Sequence, residues 1–306
     1  MKNSPEHFGD RLTAAIKNKK TPLVVGLDPR WDNLPDDIKS IGNQAEAFEV
    51  FCKAIIDVVA DKVPAVKPQS AFFEQLGPAG VVALGRVTEY AREKGLLTIM
   101  DAKRGDIGST ATAYAKAYLD RSENGPWQCD SLTVNPYLGD DSLTPFCDVA
   151  MENGAGIFVL AKTSNPGSKT FQEKTIGADG GKLFELVADH LQMLAARNIG
   201  DSGFGFVGAV VGATWPEELV ALRKRMPNVI FLIPGFGAQG GSAADIAGGL
   251  NEHGLGGVIN SSRGIIFAYE RPEFEAIVNW QDAVSLAADM AIGQIAADSN
   301  AGKLRL

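Results

Sequence analysis

The stretch Leu96-Leu97-Thr98-Ile99-Met100-Asp101-Ala102-Lys103-Arg104-Gly105-Asp106 decides the fold. An apolar run, Leu96–Met100, stops abruptly in a cluster of charges and a glycine. Continuous apolar runs of this length suit parallel strands buried on both faces; half-exposed strands alternate instead. Seven more such runs recur, at Leu23–Leu27, Ala65–Lys67, Ser131–Asn135, Gly156–Leu160, Phe206–Val211, Val229–Ile233 and Gly257–Asn260. Their starts lie about 33 residues apart on average, enough for one strand and one crossover helix. Helical stripes occupy the gaps: Phe8, Leu12 and Ile16; Phe48, Phe51, Ile55 and Val58; Leu183, Leu186, Val187, Leu191 and Leu194. Eight alternations of strand and helix predict a closed (β/α)8 TIM barrel, an α/β fold in one domain over residues 1–306. The core is expected over about 22–268, with a helix before the first strand and a C-terminal helix and loose tail over 273–306. An open, doubly wound sheet is the alternative fold.

Composition narrows the function classes. The chain has 306 residues, 45% hydrophobic and 22% charged, with a net charge of −8. Such an acidic balance argues against a general nucleic-acid binder. No run of about 18 apolar residues is present to cross a membrane, and the first residues, Met1 to Glu6, have no apolar signal-peptide core. Cys52, Cys129 and Cys147 form no C-x-x-C pattern, which predicts a reduced, cytoplasmic chain. His7, His190 and His253 do not cluster, so no His/Cys zinc site is expected.

Polar residues recur at the C-terminal ends of the expected strands, the face from which this fold draws its catalytic groups. Asp28 ends the first strand, Lys67 the second, and Asp101, Lys103 and Asp106 follow the third. Asp101 and Lys103 are two residues apart, so an extended strand points both to one face. Lys67 and Asp28 can approach from neighbouring strands, giving an alternating array in which carboxylates keep each lysine protonated. A purely structural ion-pair network is the competing explanation. Desolvating four charges offsets most of their attraction, which favours a functional one.

Gly235-Phe236-Gly237-Ala238-Gln239-Gly240 matches G-x-G-x-x-G after a strand. A dinucleotide site would want it on the first strand, with an acidic residue ending the next; here Asn260-Ser261-Ser262-Arg263 follows. Backbone N–H groups of the glycine-rich turn, with Arg263 beside them, suit a phosphate instead, and phosphate sites after strands seven and eight recur in this fold. Ser164-Asn165-Pro166-Gly167 opens a long excursion, Ser164 to Gly181, that reads either as a plain turn or as a segment contacting a polar ring. Its length makes it the best candidate for a lid.

These motifs together resemble the orotidine 5′-phosphate decarboxylase family, in its longer bacterial branch. Asp101-Ala102-Lys103-Arg104-Gly105-Asp106-Ile107 looks like its D-x-K-x-x-D-I signature. Val25-Gly26-Leu27-Asp28, Val66-Lys67-Pro68, Ser164-Asn165-Pro166-Gly167, and the pair Pro234–Gly241 and Ser262-Arg263-Gly264 follow in the family's order. The resemblance implies a TIM barrel, a homodimer, and conversion of orotidine 5′-phosphate to uridine 5′-phosphate and CO₂ in pyrimidine biosynthesis, without metal or organic cofactor. It implies that Lys67, Asp101 and Lys103 form the charged array, with Lys103 as proton donor. Asp28 would contact the ribose. Asp106 would enter the partner's site, with Thr110 near the ribose there. Ser164 would bind the pyrimidine, and Gly237, Gln239 and Arg263 the phosphate. Asn165 stands where several members have His. Two other readings remain: a Mg²⁺-dependent sugar-phosphate decarboxylase or aldolase on the same barrel, with Asp101 as a metal ligand, and a non-catalytic nucleotide-binding barrel.

Overall fold

A computed structural model describes residues 5–177, 180–213, 216–236 and 243–306. Its eight parallel strands are β1 (Leu23–Leu27), β2 (Ala65–Pro68), β3 (Leu97–Arg104), β4 (Ser131–Val134), β5 (Gly156–Lys162), β6 (Val207–Val211), β7 (Ile230–Pro234) and β8 (Gly257–Ser261). Neighbours in sequence pair throughout, and β1 pairs with β8 to close the barrel. Closure removes both sheet edges, so every strand is covered on two faces. That explains the continuous apolar runs.

The barrel wall separates two apolar cores. Inside it, Val24, Ala65, Ile99, Phe158, Val210, Ile230, Leu232 and Val258 fill the lumen. Outside it, a larger cluster packs strands against the helical ring. The N-terminal helix α1 (Phe8–Lys19) closes the bottom of the lumen with the stripe read from sequence: Phe8, Leu12 and Ile16 join the inner cluster. Phe8 meets Phe158 edge-on at 6.0 Å. A Cβ on Gly156 would lie 2.2 Å from the Phe8 ring, so only glycine admits the plug there.

The C-terminal helix α2 (Trp280–Asp298) buries Val284, Ala288 and Ile295 against the outer core. The expected loose tail is instead ordered. Asn300–Arg305 forms a 3-10 turn in which Ala301 is 1% exposed, and Asn300 Nδ2 donates to Asn251 O at 3.1 Å. Leu304 packs on both cores, an anchor too short to show as periodicity. The excursion after β5 is also structured, with a 3-10 turn at Pro166–Thr170 and a small antiparallel ribbon pairing Thr175–Ile176 with Gly181–Lys182. No helix among the described residues is long and apolar enough to cross a membrane.

Candidate active site

The C-terminal ends of the strands surround a cavity of about 200 Å³ lined by Asp28, Lys67, Gln69, Asp101, Lys103, Thr133, Asn260 and Arg263, among others. Asp101 is its centre. Its Oδ2 accepts from Lys67 Nζ at 2.8 Å and Gln69 Nε2 at 3.0 Å. Its Oδ1 accepts from Lys103 Nζ at 2.5 Å and Thr133 Oγ1 at 3.0 Å. Burial alone would raise the Asp101 pKa, but the Lys67 and Lys103 ammonium groups outweigh it and hold the carboxyl well below its ordinary range. Burial likewise opposes the charge on Lys67, and Asp101 and then Asp28 reverse the effect, so its pKa is raised. Asp101 and Lys67 therefore both stay ionised across neutral pH.

Lys103 reaches the array by a route the residue spacing does not show. It is not extended: its φ is +47°, in the left-handed region, and the β3–β4 register shifts between Met100 and Arg104. Such a conformation costs a non-glycine residue roughly 1–2 kcal/mol. Bulges beside active sites re-aim side chains in this way. Here the Lys103 N–H donates to Thr133 Oγ1 at 2.9 Å, and the same hydroxyl donates to Asp101. Thr133 therefore fixes both the bulge and the carboxylate. The side chain of Lys103 is 48% exposed against 5% for Lys67, so its ammonium is the one open to a bound molecule.

The opposite wall comes from β1 and β8. A Cβ on Gly26 would lie 1.8 Å from Ser262 Oγ, so glycine at this point lets the β8 turn close onto β1 and brings Arg263 to the cavity. Asp28 Oδ1 and Asn260 Oδ1 are buried there, and neither has a hydrogen-bond partner among the described residues. Buried acceptors in native proteins are nearly always satisfied, so two orphans in one cavity point to donors on a ligand.

Of the expected site residues, Asp28, Lys67, Asp101, Lys103 and Arg263 meet in this cavity. Ser164 lies at the mouth end of β5, beside Gly212, but does not line it. Asp106 does not join the array of its own chain: its Oδ1 accepts from the Ile107 N–H at 2.8 Å. Thr110 is exposed on the helix Gly108–Leu119. Gly237 and Gln239 fall outside the described residues. Gln69, Thr133 and Asn260 are additional members. Gln69 was legible as the second residue after Lys67 on the same strand face; Thr133 and Asn260 look from sequence like ordinary strand residues.

The barrel, and the stretch of chain that carries the charged array and Arg263 on the opposite wall, have counterparts among known proteins. Residues 21–277 match the orotidine 5′-phosphate decarboxylase / HUMPS family. The chain belongs to this family. It is 51% identical over 291 residues to the orotidine 5′-phosphate decarboxylase of Rhodopirellula baltica, covering 92% of this chain and 96% of that one. It is 40% identical to that of Clostridium perfringens, covering 87% and 91%. Among solved structures, Leishmania donovani OMP decarboxylase is 33% identical with a TM-score of 0.74, covering 95% of this chain and 98% of that one. Both the fold and the family expected from the motifs are thus established.

Proposed function

We propose that the chain is an orotidine 5′-phosphate decarboxylase, releasing CO₂ from C6 of the pyrimidine and leaving uridine 5′-phosphate. The observation that carries this is the exposed Lys103 ammonium, held 2.5 Å from the buried Asp101 carboxylate in a cavity that Arg263 also lines. Loss of CO₂ leaves an electron pair at C6. A preplaced ammonium stabilises that charge as it develops and then delivers the proton. Lys103 is the group for both tasks. Asp101, beside the substrate carboxylate, disfavours its charge in the bound state. Lys67 holds Asp101 ionised, and Arg263 takes the phosphate together with Gly237 and Gln239. Phosphate binding, remote from C6, then contributes to lowering the barrier.

The two orphan acceptors, Asp28 Oδ1 and Asn260 Oδ1, suit the ribose hydroxyls. We also propose a homodimer in which Asp106 and Thr110 complete the partner's site. Asp106 does not line its own cavity, and its neighbour Ile107 is 57% exposed; Tyr137, in the turn after β4, is 77% exposed with its ring 6.3 Å from Phe171. Three buried free cysteines fit a reduced cytoplasmic setting.

A metal-dependent aldolase would need open lone pairs on Asp101, yet both oxygens already face ammonium groups. Among the described residues no three His, Cys, Asp or Glu side chains gather as metal ligands. The test is the loss of ultraviolet absorbance as orotidine 5′-phosphate is consumed, run with and without EDTA. Turnover unaffected by EDTA is expected. Absence of turnover, or its abolition by EDTA, defeats the proposal.

A further inference from the structure

Lys162 ends β5 and is 1% exposed, yet it lines no part of the substrate cavity. Its ammonium lies 2.5 Å from Glu173 Oε1 and 3.7 Å from Glu218 Oε2, and 5.2 Å from the centroid of the Phe184 ring. The next residue is held as tightly. The Thr163 N–H donates to Gln172 Oε1 at 2.9 Å, and Gln172 Nε2 donates back to Thr163 Oγ1 at 2.8 Å. Two consecutive residues of the excursion, Gln172 and Glu173, therefore grip two consecutive residues at the strand end. Ser164 follows immediately.

The same short stretch is stitched to the point where the excursion returns. The Phe184 N–H donates to Gln172 O at 3.0 Å, and the Leu183 N–H to Lys174 O at 2.9 Å. Ser164 itself rests on bare backbone: a Cβ on Gly212 would lie 2.9 Å from both its N and its Cβ. The Gly212 N–H in turn donates to Lys162 O at 2.8 Å.

Burying the Lys162 ammonium beside a partly exposed carboxylate is a poor device for stability, because an apolar residue of similar size serves as well or better. It is a good device for fixing one geometry, since hydrogen-bonded charges and a two-bond amide contact tolerate little displacement. Displacements of about 1 Å at a substrate-positioning group are costly to an enzyme. We propose that Lys162, Gln172 and Glu173 are positioning residues for base recognition, clamping the excursion onto the end of β5 so that Ser164 presents its hydroxyl to the pyrimidine. The proposal rests on the decarboxylase function above and on Ser164 as its pyrimidine-binding residue.

Two ligands separate the clamp from general stability. Uridine 5′-phosphate carries base, ribose and phosphate; ribose 5-phosphate lacks the base. Calorimetric titration of both into wild type, Lys162→Met and Gln172→Leu reads the two parts separately. Each variant should bind uridine 5′-phosphate about tenfold more weakly, the scale of one or two lost hydrogen bonds, with ribose 5-phosphate affinity unchanged. Unchanged uridine 5′-phosphate affinity, or equal weakening of both ligands in a variant with a cooperative melt, overturns the clamp. Gln172→Leu keeps the Lys162–Glu173 ion pair, so it decides the matter if Lys162→Met does not fold. If wild type itself neither binds uridine 5′-phosphate nor turns over orotidine 5′-phosphate, the functional assignment fails and the clamp falls with it. If wild type does both and the variants bind like wild type, only the clamp fails.

Discussion

Replacing Asp101 with asparagine keeps the shape of the side chain and removes its charge. Lys67 then remains in a site where it is 4% exposed, with Asp28 as the other carboxylate whose charge acts on it. Breaking one side of a buried pair costs about 3–5 kcal/mol, because the other charge is left uncompensated. The Lys103 side of the pair adds little, since that side chain is 48% exposed and screened by water. At about 2.1 cal/mol/K of unfolding entropy per residue, the loss at pH 7 corresponds to a drop in melting temperature of roughly 5–8 °C for a chain of 306 residues. The pH dependence gives the sharper check. In the native chain the raised Lys67 pKa contributes stability below its unfolded value, and this is lost only as pH rises through the folded one. In Asp101→Asn the principal counter-charge is gone and burial lowers the folded pKa instead. The deficit should therefore shrink as pH rises from 7 towards the ordinary lysine range of about 10. At the acid end the signs reverse. The depressed Asp101 pKa gives stability that is present above about pH 4 and lost as pH falls further, a loss the variant should not show. Thermal melts followed by circular dichroism at several pH values measure all three effects. A melting temperature within about 2 °C of wild type at pH 7 would refute the view that Asp101 neutralises a buried ammonium.

Lys103→Ala should remove almost all turnover while uridine 5′-phosphate still binds through the Arg263 end of the cavity; retention of about a tenth of wild-type turnover, a loss of only about 1.4 kcal/mol, contradicts its role as proton donor. Arg263→Ala should cost on the order of 2–5 kcal/mol in kcat/KM for orotidine 5′-phosphate, yet leave orotidine without phosphate nearly unaffected, and equal losses on both would remove Arg263 from the phosphate site. Lys103→Ala and Asp106→Ala, each inactive alone, should on co-expression recover about a quarter of wild-type activity, because half of randomly paired dimers carry one intact shared site in two. Activity no higher than the parents, with mixed dimers present, would mean that Asp106 does not act across the interface.

Much of the site was legible because strand periodicity and strand ends carry it. Asp28, Lys67 and Asp101 each stand where an apolar run stops, and all three line the cavity. Lys103 reaches the cavity, but not by the route its spacing implies. The two-residue spacing assumes extended backbone, whereas the chain reaches the same face through a left-handed residue and a register shift. No local signal announces that bulge, because the hydroxyl that supports it belongs to Thr133 on the next strand. Asn260 was invisible for a similar reason: it is one polar residue in a buried strand until barrel closure sets β8 beside β1.

The amino-acid sequence by itself determined the eight apolar runs, their spacing, the plugging stripe of α1 and the polar strand ends, since each depends on neighbours within one strand or helix turn. Tertiary structure decided what depends on contacts across the barrel. It packed the tail through Leu304, made Gly26 necessary by bringing Ser262 against it, kept Asp106 out of its own cavity, and tied Lys162 to Glu173. The physical reason is that burial and hydrogen-bond partnership are properties of pairs of segments. Periodicity reports which face of a segment is buried, and only the closed fold supplies the atoms on the other side.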